Sequence, residues 1–380
     1  MNYVPFGKTG ENVSRLGFGT MRLPMLKDAS GKKEYVDEKE AIKIIRSAID
    51  GGLSYVDTAY NYHNGASETI VGKALKNGYR DKVLLTSKLP VWLVKEEKNM
   101  DELLDEQLKH LDVPYLDFYL LHSLSLKAFH KMQSLNYKKF FERAIKDGRI
   151  RHAGFSFHDN KDAFIEIIDD YDWSMAQIQF NYLDDMYQAT VEGLKYAGKK
   201  QIPVVVMEPL RGGALANPPN EIAEMIAKNE RKYSPAEWAF RFVGNFPEVV
   251  TILSGMSNQK QVDDNLRIFD SVKPNMLTED ELKFIAELKS AYQKRIAIDC
   301  TNCKYCQPCP QSVNIPRIFE AFNEAYKLDK NDQFIWQYKA IAKDGQDASS
   351  CVECGKCESL CPQKLEIIDL LKKVAEKAES

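Results

Sequence analysis

All eight cysteines of this 380-residue chain fall after residue 299. They form two runs, Cys300-x2-Cys303-x2-Cys306-x2-Cys309-Pro310 and Cys351-x2-Cys354-x2-Cys357-x3-Cys361-Pro362. Thiolates at two-residue spacing are soft ligands that can wrap one face of an inorganic cluster. Nothing else in the chain constrains folding as tightly, because each run must converge on a centre and the tail must fold around it. Paired CxxC is also zinc spacing, so a pair of zinc knuckles is the competing reading. Two triple runs, each closed by Cys-Pro, fit iron–sulfur better. A disulfide framework ranks third: the chain shows no secretory signal, and such patterns in cytosolic proteins are more often metal sites.

The second run has the spacing of bacterial iron–sulfur ferredoxins, and the first is one residue shorter at its last step. In two-cluster ferredoxins the fourth cysteine of each run ligates the other cluster. The simplest reading is two [4Fe–4S] clusters, one on Cys300, Cys303, Cys306 and Cys361, the other on Cys351, Cys354, Cys357 and Cys309. The short Cys306–Cys309 step leaves local closure, each fourth cysteine on its own run's cluster, as the alternative.

A chain of this length exceeds what one core usually fills. The cysteine boundary divides it into residues 1–290, enough for a large α/β domain, and residues 291–380, a small domain held largely by its clusters. With 44% hydrophobic and 28% charged residues the composition is that of an ordinary globular protein. A net charge of −3 gives no footprint for nucleic acid. The start of the chain, Met1 to Lys8, has no apolar signal core. No apolar run reaches the roughly 18 residues of a membrane span. The expected location is the cytoplasm, and oxygen-sensitive clusters point to an anaerobic or microaerobic cell.

Before the cysteines, β-rich runs alternate with helical patterns. Predicted strands are Arg15–Gly19, Ser54–Thr58, Val83–Lys88, Asp117–His122, Ala153–Ser156, Ala176–Phe180, Val204–Glu208 and Val250–Ser254. Helical stretches between them include Glu38–Ile49, Glu68–Lys76, Met100–Leu111, Lys138–Lys146, Lys161–Ile168 and Gln188–Gly198, with Asp101 and Ser234-Pro235 as helix starts. Eight such units in under 300 residues predict a (β/α)8 TIM barrel, class α/β, followed by a mainly helical ferredoxin-like iron–sulfur domain. A doubly wound sheet is the alternative, although no G-x-G-x-x-G fingerprint is present. The early Gly-Lys-Thr-Gly turn predicts a hairpin plugging the barrel floor. The aromatic segment 315–343 reads as a helical insert packed on the clusters or the barrel, with a partner surface as the weaker reading.

Barrel chemistry sits where the strands end. Strand two ends in Asp57-Thr58-Ala59-Tyr60-Asn61-Tyr62, strand three in Lys88 and strand four in Leu121-His122. Alone, each is an ordinary rim residue; together, in this order and spacing, they are specific. With the Gly-x-Thr-Gly hairpin, Leu16-Gly17-Phe18-Gly19-Thr20-Met21, Gly154-Phe155-Ser156, Gln177-x3-Asn181 and Asp264-Asn265-Leu266, residues 1–290 resemble an aldo/keto reductase. The whole chain resembles the anaerobe-type branch in which that reductase is fused to a ferredoxin-like tail.

The resemblance implies an NAD(P)H-dependent oxidoreductase acting on a small-molecule carbonyl, an aldehyde or ketone. Tyr62 is then the general acid, Lys88 lowers its pKa, Asp57 fixes Lys88, and His122 orients the carbonyl. Ser156 and Gln177 hold the nicotinamide amide, and Met207 lies on its ring. Gly19, Thr20 and Met21 pass behind the ribose. Pro209, Leu210, Arg211 and Gly212 cross the pyrophosphate, where Glu208 has no evident reason to be. Gly255, Ser257, Gln261, Asp264 and Asn265 take the adenine end. NADP is the family's usual cofactor. The residues at the 2′-phosphate positions are not the usual Lys or Arg, which keeps NAD open.

The resemblance leaves the tail's role undivided among three readings: a relay of single electrons, a docking module for an external redox protein, or a structural brace at the site's mouth. A nicotinamide-binding redox sensor that has lost catalysis is a fourth, and the intact Asp57, Tyr62, Lys88 and His122 set argues against it. Tyr60, His63, Trp92 and Leu124 are the expected substrate walls.

Overall fold

The computed structural model describes residues 1–28 and 34–379. They pack into two compact units, Met1–Gly212 with Ala236–Glu279, and Gly213–Pro235 with the chain from Asp280 onward.

In the first unit, among the described residues, eight parallel strands close into a barrel. They are β1 (Leu16–Gly19), β2 (Tyr55–Asp57), β3 (Leu84–Leu89), β4 (Leu116–Leu124), β5 (Ile150–Phe157), β6 (Met175–Gln179), β7 (Val204–Met207) and β8 (Val249–Ser254). Each pairs with its sequence neighbours, and β8 closes on β1 with Ile252 opposite Leu16 and Ser254 opposite Phe18. That closure excludes the doubly wound sheet. The strands are apolar runs buried on both faces, as parallel strands under a helical cover must be; β3 is buried along its whole length.

The floor is closed by an antiparallel hairpin, Tyr3–Pro5 against Asn12–Ser14. It delivers Phe6, fully buried, onto Phe118 at a ring separation of 4.4 Å and beside Tyr55. These rings share one core with Leu84, Met175, Val205 and Leu253. The opposite end of the barrel is thereby left for chemistry. The helix Ala66–Ala74 crosses the end of Lys98–Leu111 so closely that a Cβ at Gly72 would lie 2.3 Å from the Leu111 carbonyl oxygen, a contact only glycine permits.

Several element boundaries shift, among them β5, which begins at Ile150 rather than Ala153. The helix expected to start at Asp101 begins at Lys98, because Asn99 Oδ1 accepts the Lys95 and Glu96 N–H groups and turns the chain there. Asp101 instead receives Arg143 and Arg149 at 2.9 and 2.6 Å. Strand β4 runs past His122 to Leu124, with an irregular register between Leu121 and Leu124. The helix Pro235–Gly244 starts at the expected proline.

In the second unit the helices Ile315–Leu328, Asn331–Lys343 and Ile367–Glu379 enclose a small core. Phe319, Phe334, Ile341, Leu371 and Val374 form it, with five of the cysteines packed against its edge: Cys300, Cys306, Cys309, Cys351 and Cys357. The aromatic insert thus packs on the cysteine region, while its Trp336 stays 72% exposed. No helix among the described residues is long and apolar enough to cross a membrane.

Candidate functional site

Strand register brings the polar residues together. Asp57 on β2 lies opposite Thr86 on β3, and Lys88 on β3 lies opposite Leu120 on β4. Side chains two residues apart on a strand share a face, so Asp57, Lys88 and His122 climb one inner wall. Lys88 Nζ donates to Asp57 Oδ1 at 2.6 Å, to the Thr58 carbonyl at 2.8 Å and to Tyr62 Oη at 3.4 Å. Tyr62 opens a short 3-10 turn, Tyr62–Gly65, and its ring lies edge-on to His122 at 6.0 Å. All four expected catalytic residues therefore meet at one place.

The electrostatics sort their roles. Burial alone would lower the Lys88 pKa, but Asp57 and Tyr62 outweigh it and the ammonium is held. Burial raises the Asp57 pKa while Lys88 and Gln177 oppose it. Burial also raises the Tyr62 pKa above its ordinary value; Lys88 pulls it down, and Asp57 and Glu208 push it further up. Lys88 acts in the expected direction without bringing Tyr62 below an ordinary phenol. His122 is pushed well below the usual imidazole value by burial and by the Lys88 charge, so it stays neutral at physiological pH. Its Nδ1 is buried and without a hydrogen-bond partner.

Ser156 and Gln177 close the wall. Ser156 Oγ accepts the Ser123 N–H at 2.7 Å, pinning the β4 irregularity just after His122, where Ser123 takes a φ of 57°. Its own proton remains free to donate. Gln177 Nε2 donates to Asp57 Oδ2 at 3.2 Å, and its Oε1 is buried with no partner. An orphaned buried acceptor beside a hydroxyl is the complement of a carboxamide, so these residues fit a nicotinamide. Met207 ends β7, half-buried.

Other expected cofactor residues are engaged within the protein. Thr20 Oγ1 donates to the Asp57 carbonyl and bonds Ser67. Arg211, expected at a phosphate, lies 3.3 Å from Asp184. Gln261 Oε1 accepts the Ser257 N–H, Asp264 pairs with Arg267, and Asn265 donates to Ser254. Gly19 ends β1, Met21 lies in the 3-10 turn Thr20–Arg22 that follows, and Pro209, Leu210, Gly212 and Gly255 lie in the loops after β7 and β8. Of the expected walls, Trp92 stands 5.2 Å from the His122 ring. Tyr60 turns away to Glu106, His63 sits on the Thr20 carbonyl, and Leu124 is fully buried. Arg22, which sequence reasoning passed over, packs beside Glu208; its only signal was its place directly after Gly19-Thr20-Met21.

In the second unit the cysteines line two cavities. One is bordered by Cys300, Cys303, Cys306 and Cys361; the other by Cys309, Cys351, Cys354 and Cys357, with Cys306 between the two. The fourth cysteine of each run thus stands with the first three of the other. Among the described residues no three His, Cys, Asp or Glu side chains converge tightly enough for a single ion. Four thiols bordering one cavity are a donor set that fits an iron–sulfur cluster.

A plugged parallel barrel with Asp, Tyr, Lys and His at its open end defines a (β/α)8 oxidoreductase. Residues 15–289 match the aldo/keto reductase family and residues 299–366 a 4Fe-4S dicluster domain. The chain belongs to the aldo/keto reductase family, extended by an iron–sulfur domain. It is 36% identical over 132 residues to aldo-keto reductase YhdN of Bacillus subtilis, covering 32% of this chain and 38% of that protein. It is 32% identical over 200 residues to methylglyoxal reductase YeaE of Escherichia coli, covering 49% of this chain and 65% of that one. These matches span less than two thirds of either relative. The fold is shared with an aldo-keto reductase from Klebsiella pneumoniae solved in complex with NADPH, at a TM-score of 0.60 and 24% identity over 76% of this chain and 95% of that one.

Proposed function

We propose that this protein is an NADP-dependent carbonyl reductase whose tail carries two [4Fe–4S] clusters and exchanges single electrons with a partner protein. Reductase chemistry belongs to residues 1–290 and cluster chemistry to residues 291–380. The observation that carries the reading is Lys88 Nζ lying between Asp57 and Tyr62, with a neutral His122 alongside.

A bound nicotinamide supplies the hydride. Tyr62 keeps its proton through the neutral range and gives it to the carbonyl oxygen. Lys88 stabilises the phenolate that remains, and Asp57 keeps Lys88 charged and in place. His122 donates to the same carbonyl oxygen and orients it. Ser156 Oγ–H and Gln177 Oε1 hold the carboxamide. The NADPH found in the Klebsiella relative supports NADP, and the exposed Lys260 beside Ser257 offers charge to a 2′-phosphate. The name of the Escherichia coli relative supports a small aldehyde or ketone.

For the tail, crossed ligation is supported by the two cysteine sets, and electron exchange by surface exposure of one cysteine in each, Cys303 and Cys354. The test is NADPH and NADH oxidation by anaerobically purified full-length protein against methylglyoxal and a panel of aldehydes and ketones. NADPH-preferring turnover is expected. Nicotinamide binding with no turnover on any carbonyl would leave the redox-sensor reading in its place.

A further inference from the structure

Glu208 puts a carboxylate in the segment that the proposed function gives to the cofactor pyrophosphate, where a negative charge opposes binding. Its surroundings supply a reason. Glu208 takes a φ of 55°, rare for a residue with a side chain, and its carbonyl accepts Asn181 Nδ2 at 3.1 Å. The backbone is thereby held in a turn that fixes where the side chain leaves. The carboxylate, 30% exposed, lies 4.0 Å from Arg22 Nη2, and Arg22 is 52% exposed.

Arg22 reaches it from the 3-10 turn Thr20–Arg22 that follows β1. Its carbonyl accepts Ser257 Oγ at 2.9 Å. A Cβ at Gly255 would lie 3.0 Å from Arg22 Cβ, and one at Gly212 would lie 3.0 Å from Arg22 Nη2 and 3.8 Å from Glu208 Oε2. The Arg22 side chain therefore spans from the Gly255–Ser257 segment to the Glu208–Gly212 segment, with glycine at both ends leaving room for it. The Glu208 charge is also felt at Tyr62, whose ionisation it opposes.

We propose that Glu208 is an internal competitor of the cofactor diphosphate for Arg22. Without cofactor, Arg22 pairs with Glu208. A dinucleotide displaces the carboxylate and takes the guanidinium, and on release Glu208 recaptures it. The inference rests on the nicotinamide reading above. The direction of exchange follows from geometry: a 4.0 Å pair between partly exposed groups is weak, whereas a diphosphate accepts two charge-assisted bonds from the guanidinium fork. Glu208 thus lowers cofactor affinity and speeds dissociation, a step that often limits turnover in well-evolved enzymes.

The test is NADPH titration and stopped-flow dissociation on full-length, anaerobically prepared protein, with cluster absorbance and near-ultraviolet circular dichroism matched to wild type. Glu208→Gln is expected to bind NADPH about two- to fivefold more tightly, through slower dissociation. Arg22→Met is expected to bind about tenfold more weakly, with Arg22→Lys between, since it keeps the charge and loses the fork. The double variant is expected to bind like Arg22→Met. A Glu208→Gln gain that persists undiminished in the Arg22→Met background means direct repulsion of the cofactor and overturns the exchange. Unchanged affinity in Glu208→Gln, with wild type binding normally, overturns this inference alone. Wild type that binds no NADPH overturns the cofactor reading and the inference together.

Discussion

Gln177 Nε2 donates to Asp57 Oδ2 at 3.2 Å, which ties the side chain proposed to hold the nicotinamide to the carboxylate that holds Lys88. On the proposed assignment, cofactor recognition and proton donation share this brace. Asp57 loses a stabilising donor when Gln177 is removed, and the nicotinamide loses an acceptor. Gln177→Met is expected to raise the NADPH dissociation constant about tenfold and to lower kcat as well, an unsatisfied buried polar group costing about 1–3 kcal/mol. Single-turnover kinetics separate the two effects; a change in binding alone would show that the brace to Asp57 does not matter for chemistry.

The forces on Tyr62 set the pH profile. Burial raises its pKa above the ordinary phenol value of about 10, and Lys88 pulls it partly back. Reduction needs the protonated phenol, so it is expected to be flat through neutral pH and to fall only on a far alkaline limb. Alcohol oxidation needs the phenolate and is expected to rise with pH toward that limb. Protonation of His122, whose pKa lies well below 6.5, gives the acid limb. In Lys88→Met the pull on Tyr62 is gone, so the alkaline limb moves to higher pH and oxidation slows. Losing one partner of this buried ion pair costs roughly 3–5 kcal/mol, so thermal unfolding must accompany the kinetics. An alkaline limb that moved to lower pH in Lys88→Met would contradict the assignment.

Crossed ligation has a spectroscopic signature. Cys309 borders the cavity of Cys351, Cys354 and Cys357, and Cys361 that of Cys300, Cys303 and Cys306. Cys309→Ser is expected to perturb the electron paramagnetic resonance signal of the reduced cluster on the second run and spare the other, and Cys361→Ser the reverse. Each variant disturbing only its own run's cluster would establish local closure.

Metal analysis tests the cluster reading itself. Anaerobic protein is expected to carry about eight irons and about eight acid-labile sulfides per chain, as two four-iron clusters require. It should be brown and bleach with dithionite. Stoichiometric zinc without sulfide is the contrary result.

The barrel was legible because its strands are short Val, Ile and Leu runs between helical patterns, and the observed ends fall near the predicted ones. β5 starts three residues early, at Ile150, and β4 continues past His122, where Ser156, 33 residues on, captures the Ser123 N–H. No local signal announces a bond of that kind. Nor did any local signal announce that Asp184, in the loop after β6, pairs with Arg211. Tyr62 was set apart from Tyr60 by the family resemblance, and the turn after Asp57 sends Tyr60 to Glu106 and Tyr62 to Lys88. The iron–sulfur domain was legible because cysteine spacing is itself a geometric rule. The packing of Gly213–Pro235 with the cysteine unit was not, since a loop's composition does not name what it packs on.

The central claim, hydride transfer to a carbonyl with Tyr62 as proton donor, is tested most directly by NADPH deuterated at the transferring carbon of the nicotinamide, in a single turnover on anaerobic full-length protein. The account predicts deuterium at the former carbonyl carbon with wild type. With Tyr62→Phe it predicts a loss of about a hundredfold or more in rate, at nearly unchanged NADPH affinity. Stoichiometric NADPH binding with no deuterium transferred by wild type, or near-normal transfer by Tyr62→Phe, would contradict it.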